Sequence, residues 1–393
     1  MHRLPPLAIR RAACGVLAVA ALALAPDFAA AQVTSARPAT QRAPRALPDS
    51  IADFSAMVRR LSDVGGYFDT DNLISNERGY QQVLGAIERL GVRGGAYIGV
   101  GPDQNFTYIA RVRPEIAFLT DIRRDNMLQH LLFKALFARA RNRAEYLALW
   151  TGRAVPANVA QWNDRSVEAL VTFIDAAPFD RAAAQRAQRM VREEVLRSGM
   201  LLSGPDLETI ERFHNAFMAD GLSLRFASAG RAPQPHYPTL RQLILEHDES
   251  GQQRGYLASE DDFQYVKTMH RRNLIIPVTG DLGGPRTLAG IARYLTEHRA
   301  QVSVLYISNV EDYLLRDGTF PAYLAAVRAL PRDDRAVVIR SYFGGGYGHP
   351  ESTPDYYATQ LVQRLSRFVA DTALRRPMRY RELVNRDWLP LRR

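Results

Sequence analysis

The chain has 393 residues, 47% hydrophobic and 23% charged, a composition that supports a large buried core and excludes disordered and collagen-like chains. Lysine plus arginine outnumber aspartate plus glutamate by 51 to 41, a net charge of +10, yet only Lys134 and Lys267 are lysines. The positive charge is guanidinium spread along the whole length, short of the concentrated stripe that nucleic-acid binding requires, so no nucleic-acid partner is expected.

Residues 1–31 read as an export signal. Arg3, Arg10 and Arg11 form a positive start, Val16 to Ala25 an apolar run, and Ala29-Ala30-Ala31 before Gln32 a cleavage site. The mature protein is expected to begin at Gln32 and to be exported, periplasmic or secreted. The apolar run is shorter than the ~20 residues that span a bilayer, and no later stretch reaches that length, so no transmembrane segment is expected in the mature chain. Cys14, the only cysteine, precedes the run, which leaves the mature chain without thiol, disulfide or cysteine-bound metal. The Arg10-Arg11 pair keeps open a twin-arginine route that exports folded protein. Residues 32–50 lack apolar periodicity and read as a disordered lead-in, with a single α/β domain over 51–393.

Helical spacing first appears over Tyr80–Leu90. A strand is predicted at Ala96–Val100, a helix at Gln104–Val112 and a second strand at Ile116–Asp121. The stretch of about 126–270 is too long for one crossover and shows helical spacing at Asn126–Trp150, Arg165–Ala176, Arg181–Gly199 and Asp206–Asp220. It reads as a large helical insertion between the second and third strands, packed at the ligand edge of the sheet, or as a separate helical domain. Strands are then expected at Leu274–Thr279, Val302–Ser308 and Ala336–Tyr342, with helices at Arg286–Glu297 and Ala358–Leu374. The strands are almost continuously apolar, as strands covered on both faces are. Their alternation with helices predicts a doubly wound, mostly parallel, Rossmann-like sheet.

Four strand ends carry candidate chemistry. Gly99-Val100-Gly101 lies between a strand and a helix, where glycine lets backbone approach a ligand, and Asp121 ends the next strand twenty residues on, where a carboxylate can bind ribose hydroxyls. The other reading is a tight structural turn with Asp121 as a cap. Asp281, in Gly280-Asp281-Leu282-Gly283-Gly284, either meets an adenine amino group or caps the helix that Pro285 opens. Asn309 and Glu311 follow the fourth strand, where they can orient or deprotonate a nucleophile or, alternatively, start a helix.

Other signals are weaker. No Gly-x-Ser-x-Gly elbow and no His-Glu-x-x-His helix is present, the histidines are scattered singly, and no metal is expected. The glycine-rich run Gly344–Pro350 is either an ordinary loop or a flap over the same sheet edge. Arg123, Arg124 and Lys134 either hold an acidic substrate group or form a solvated helix face; the face reading is preferred for Arg124.

The strings YIGVGPDQNFTYIARVRPEIAFLTDIRRDN (Tyr97–Asn126), NLIIPVTGDLGG (Asn273–Gly284) and VSVLYISNVEDYLL (Val302–Leu315) resemble an uncharacterised bacterial protein family with a class I S-adenosylmethionine-dependent methyltransferase-like fold. The resemblance covers most of Ser75 to Tyr342. It implies that Gly99 and Gly101 face the methionine and ribose part of S-adenosylmethionine, Asp121 the ribose and Asp281 the adenine, with Asn309 and Glu311 at the catalytic position. Three features depart from the superfamily pattern: Tyr97 stands where an acid is usual, Asp103 where a third glycine is common, and a final antiparallel strand pair is not evident after Ala336–Tyr342. Asp103 would repel a phosphate and so disfavours a dinucleotide. The expected function is that of an exported methyltransferase-like protein of unknown substrate. The alternative is a non-catalytic exported protein whose cleft binds a small ligand or a partner, because S-adenosylmethionine is made in the cytoplasm.

Overall fold

The computed structural model describes residues 46–392 except 229, 230, 233, 345–347, 372, 373, 375 and 377; the predicted leader and most of the lead-in lie outside the described residues. The chain joins the core through Leu47 and the buried Ile51, whose N–H donates to Arg272 O (3.0 Å). The described residues belong to one compact unit.

In chain order the elements are α1 (Phe54–Leu61), α2 (Leu84–Arg89), β1 (Ala96–Val100), α3 (Gln104–Val112), β2 (Ile116–Asp121), α4 (Arg124–Arg139), α5 (Arg143–Thr151), α6 (Val167–Ala176), α7 (Arg181–Arg197), α8 (Gly204–Asp220), α9 (Leu240–Ile244) and α10 (Glu260–Arg271). After these come β3 (Ile275–Thr279), α11 (Thr287–Glu297), β4 (Val302–Tyr306), α12 (Val310–Arg316), α13 (Phe320–Ala329), β5 (Arg332–Tyr342), β6 (Thr359–Arg364), α14 (Leu365–Ala370), α15 (Tyr380–Val384) and β7 (Trp388–Leu389). The seven strands form one sheet in the order β3-β2-β1-β4-β5-β6-β7. Neighbours from β3 to β5 run parallel, while β6 is antiparallel to β5 and β7 to β6. This is a Rossmann-like α/β architecture.

Every residue of β1, β3 and β4 is buried, which is stable only because helices cover the strands. Helix α4 packs on β2 and β3 and touches α10, which touches α3; α1 also packs on β3 and touches α11, which leads through α13 to α14 on β5. The two lysines brace the first group. Lys134 of α4 donates to His270 O (2.5 Å) at the end of α10, and Lys267 of α10 donates to Ala140 O at the end of α4. Each compact ammonium thus meets orphan carbonyls at the negative end of the other helix.

The far edge corrects two expectations. The stretch expected as a helix over Ala358–Leu374 is strand β6 followed by the short α14, and the final antiparallel pair that is not evident in the sequence is present as β6 and β7. Leu361, Leu365 and Phe368 repeat at helical spacing and mimic one helix, but Gln360 and Gln363 face buried polar partners across the sheet. Between β2 and β3, α5, α7 and α8 pack on α4 and one another, and α8 reaches the strand ends through Arg212, which pairs with Asp71 (2.6 Å). Among the described residues no helix is long and apolar enough to cross a membrane.

Candidate functional site

The carboxyl ends of β1 and β4, adjacent strands whose connections leave in opposite directions, open a crevice where α/β sheets bind ligands. A cavity of about 440 Å³ lies there. Its floor is Gly101 and Gln104 after β1, Asp121 at the end of β2, Asp281 after β3, and Ser308 with Asn309 after β4. Two further segments build its walls. Tyr67 to Glu77 crosses the strand ends as a strap, held where Asp63 N–H donates to Thr279 O (2.8 Å), Gly66 N–H to Ile122 O (2.7 Å) and Gln129 Nε2 to Leu73 O (2.6 Å). From the long β2–β3 stretch only Ile122, Phe226, Ser228, Arg231 and Tyr237 line the cavity, among the described residues, and none of these lies on a helix.

Gly101, Asp121, Asp281 and Asn309 therefore converge on one cavity, whereas Gly99 and Glu311 stand outside its lining. Gly101 adopts a left-handed φ of +83°, and its carbonyl accepts from His130 Nε2 (2.9 Å). Gly99 is needed for a different reason. Its missing Cβ leaves room for Asn105, whose Nδ2 donates to Val100 O (2.8 Å), Gly101 O (3.2 Å) and Pro102 O (2.7 Å) and ties the turn together.

Asp121 is already engaged. Arg123 donates to its carboxylate through its backbone N–H (2.8 Å), Nε (3.2 Å) and Nη2 (3.1 Å), and reaches the strap at Thr70 O. Asp281 Oδ1 accepts from Gly283 N–H (2.8 Å) in a local turn. Arg124 pairs with Asp206 (2.8 Å), and Lys134 is committed to carbonyls, so none of these three cations is free for an acidic substrate.

Glu311 departs most from its expected catalytic role. It is fully buried and bound by Arg340 through Nε (2.5 Å) and Nη2 (3.1 Å) and by the Tyr323 hydroxyl (2.9 Å). A carboxylate held in this way is part of the core. Its sequence spacing after β4 is that of a site residue, but two residues beyond Asn309 the helix turns it inward.

Asp103 likewise faces away from the cavity. It is buried beside Tyr256, whose hydroxyl donates to Oδ2 (3.2 Å), and burial raises its pKa from 3.8 to about 6. The repulsion expected of it against a phosphate does not arise at this position. Between pH 4 and 6 the folded chain keeps a proton that the unfolded chain loses, so the stability Asp103 contributes at low pH disappears as pH rises through 6. Asp103→Asn is expected to be about 2–3 kcal/mol more stable than wild type at pH 8 and equal to it below pH 4. Urea melts at the two pH values check this; a constant difference would show that titration of Asp103 is not its cause.

The residue that sequence reading missed is Glu77. It lines the cavity from the end of the strap, is 2% exposed, and has no lysine, arginine or histidine partner among the described residues. Its carboxylate accepts from Tyr306 (2.8 Å), Ser341 (2.5 Å), Ser308 and Gln360 (3.2 Å). Burial pushes its pKa up, against the pull of these four donors. No local motif marks Glu77, because its donors come from β4, the turn after it, β5 and β6, more than two hundred residues away. Beside it, Gln104 donates to Tyr306 (3.2 Å) while its Oε1 is buried without a partner.

No curated protein matches the sequence. The family described as Domain of unknown function (DUF7790) matches residues 72–196 and 222–388. The break removes α8, which packs on α4 and lines no part of the cavity. The matched residues make up well over half of the chain and include Glu77, β1 to β6 and the start of β7, so the chain belongs to this family of unknown function.

Proposed function

We propose that the protein is an exported, S-adenosylmethionine-dependent methyltransferase-like protein acting on a small molecule. The supporting observation is the sign of the cleft. Asp69, Glu77, Asp121, Asp281 and Asp317 line it; among the described residues the one lining cation is Arg231, paired with Asp69, while Arg123 behind the wall is paired with Asp121. In a chain of net charge +10, such a lining disfavours phosphate-bearing dinucleotides and suits a cationic ligand such as a sulfonium. The unpartnered Gln104 Oε1 offers an acceptor to a ligand donor, and stranding it is costly unless something fills that role. Asp121 retains lone pairs for a ribose hydroxyl beyond those taken by Arg123, Asp281 stands at the β3 end for the adenine, and Gly101 allows close backbone approach. When bound, S-adenosylmethionine supplies an electrophilic methyl carbon; the chain's part is to align the acceptor, with Asn309 at the end of β4 beside it.

A second reading, a non-catalytic exported binding protein, is favoured by the Arg123 clamp on Asp121. Calorimetric titration with S-adenosylhomocysteine separates the two. Saturable binding is expected, weakened at least about fivefold by Asp121→Asn, which removes a charge-assisted hydrogen bond. No binding by folded protein at millimolar ligand would leave the second reading. Export is checked by fractionation, with an N-terminus expected at Gln32; an intact leader on cytoplasmic protein would refute it.

A further inference from the structure

Two buried glutamates flank β4, and their surroundings differ in kind. Glu311 is neutralised by Arg340 and closed off from the cavity. Glu77 has only neutral donors around it and reaches the cavity wall, with Tyr97 and Tyr108 as further buried neighbours. One of its donors, Ser308, is in the left-handed region at φ +52°. A serine there is strained by about 1 kcal/mol or more, and the surroundings enforce it: Ser308 O accepts from Ser341 N–H (2.8 Å) and Tyr380 Oη (3.3 Å). The result is a hydroxyl at the cavity wall whose hydrogen points to Glu77 and whose other acceptor contact, Asn309 Oδ1 (3.3 Å), lies at the same wall.

We infer that Glu77 and Ser308 form a proton-accepting pair, and that the acceptor substrate is a small molecule with a hydroxyl or amine that must lose a proton; this rests on the methyl-transfer reading above. A serine that donates its hydrogen to a carboxylate keeps lone pairs free on Oγ. The acceptor's O–H or N–H bond breaks, its proton goes to Ser308 Oγ, and the serine's own proton passes to Glu77. The electron pair stays on the acceptor atom, which becomes the nucleophile, and Glu77 ends as the neutral acid. Burial without a cation favours that neutral form, and of the two glutamates only Glu77 lines the cavity. The proton returns to water when product leaves.

The pair also predicts a ligand preference that needs no acceptor. Sinefungin carries an amino-bearing carbon in place of the sulfonium, and its ammonium would donate to this wall, whereas S-adenosylhomocysteine has no donor there. By calorimetry, wild-type protein is expected to bind sinefungin about tenfold more tightly than S-adenosylhomocysteine, the effect of one added charge-assisted hydrogen bond. Glu77→Gln and Ser308→Ala are each expected to bring that ratio to within about twofold, with folding verified by circular dichroism. A ratio unchanged in both folded variants, or equal affinities in wild type, overturns the pair and leaves the cofactor reading standing. Failure of wild type to bind either ligand overturns the cofactor reading, and the inference with it.

Discussion

Glu311→Ala is expected to cost about 3–5 kcal/mol of stability, the usual penalty for leaving one member of a buried ion pair uncompensated. Arg340 is 3% exposed; besides Glu311 it donates to Gln363 Oε1 (2.7 Å) and lies 4.4 Å over the Phe368 ring. Nothing in that setting can replace the lost negative charge, and water cannot reach it without opening the packing of α12, α13 and β5. The double variant Glu311→Ala with Arg340→Met is expected to recover most of the loss, because an apolar side chain of similar size suits the site once the charge is gone. Urea melts measure both effects. Ligand affinity in the cleft is expected to stay within about twofold of wild type, since Glu311 does not line it. A stability loss under about 1 kcal/mol, or collapse of binding in a folded variant, would return Glu311 to the site.

Gly99→Ala is expected to lower stability by about 3 kcal/mol, more than the same change at Gly101, by adding overpacking to the loss of Asn105 hydrogen bonds. A Cβ at position 99 would overlap Asn105 Oδ1 and lie 2.6 Å from the Tyr97 ring. Both neighbours are fully buried and bonded to each other (2.7 Å). At Gly101 the nearest atom is Gln104 Nε2 at 3.1 Å, the end of a side chain that can shift, so the main cost is the left-handed backbone, about 1–2 kcal/mol. Paired melts of the two variants test the order; a larger loss at Gly101 would contradict this account of the turn. Gly99→Ala is also expected to weaken ligand binding, because the Asn105 bonds that shape the β1–α3 turn are lost.

The two glycines show how far a local pattern reaches. A Gly-x-Gly turn after an apolar run correctly marks the strand–helix junction, and β1, α3 and β2 occupy the predicted boundaries. The pattern does not say which glycine faces a ligand and which faces a neighbouring side chain, since that depends on the direction each Cα presents to α3. The same limit applies to Asp121 and Glu311. Both stand at strand ends where carboxylates serve ligands, yet one is clamped by Arg123 two residues on and the other by Arg340 from β5.

The parallel half of the sheet, from β1 to β5, was legible in the amino-acid order, because strands buried on both faces must be continuously apolar and that signal is local. The place of the cleft was legible too, since open α/β sheets bind ligands at the carboxyl ends of their strands. Tertiary structure alone decided the antiparallel edge, where Gln360 and Gln363 are polar because Glu77 and Arg340 require partners. It alone decided which buried carboxylate is a spectator and which can act: Glu77 lies far along the chain from each of its donors, and the charge state of a buried acid is set by neighbours that only the folded chain brings within hydrogen-bond distance.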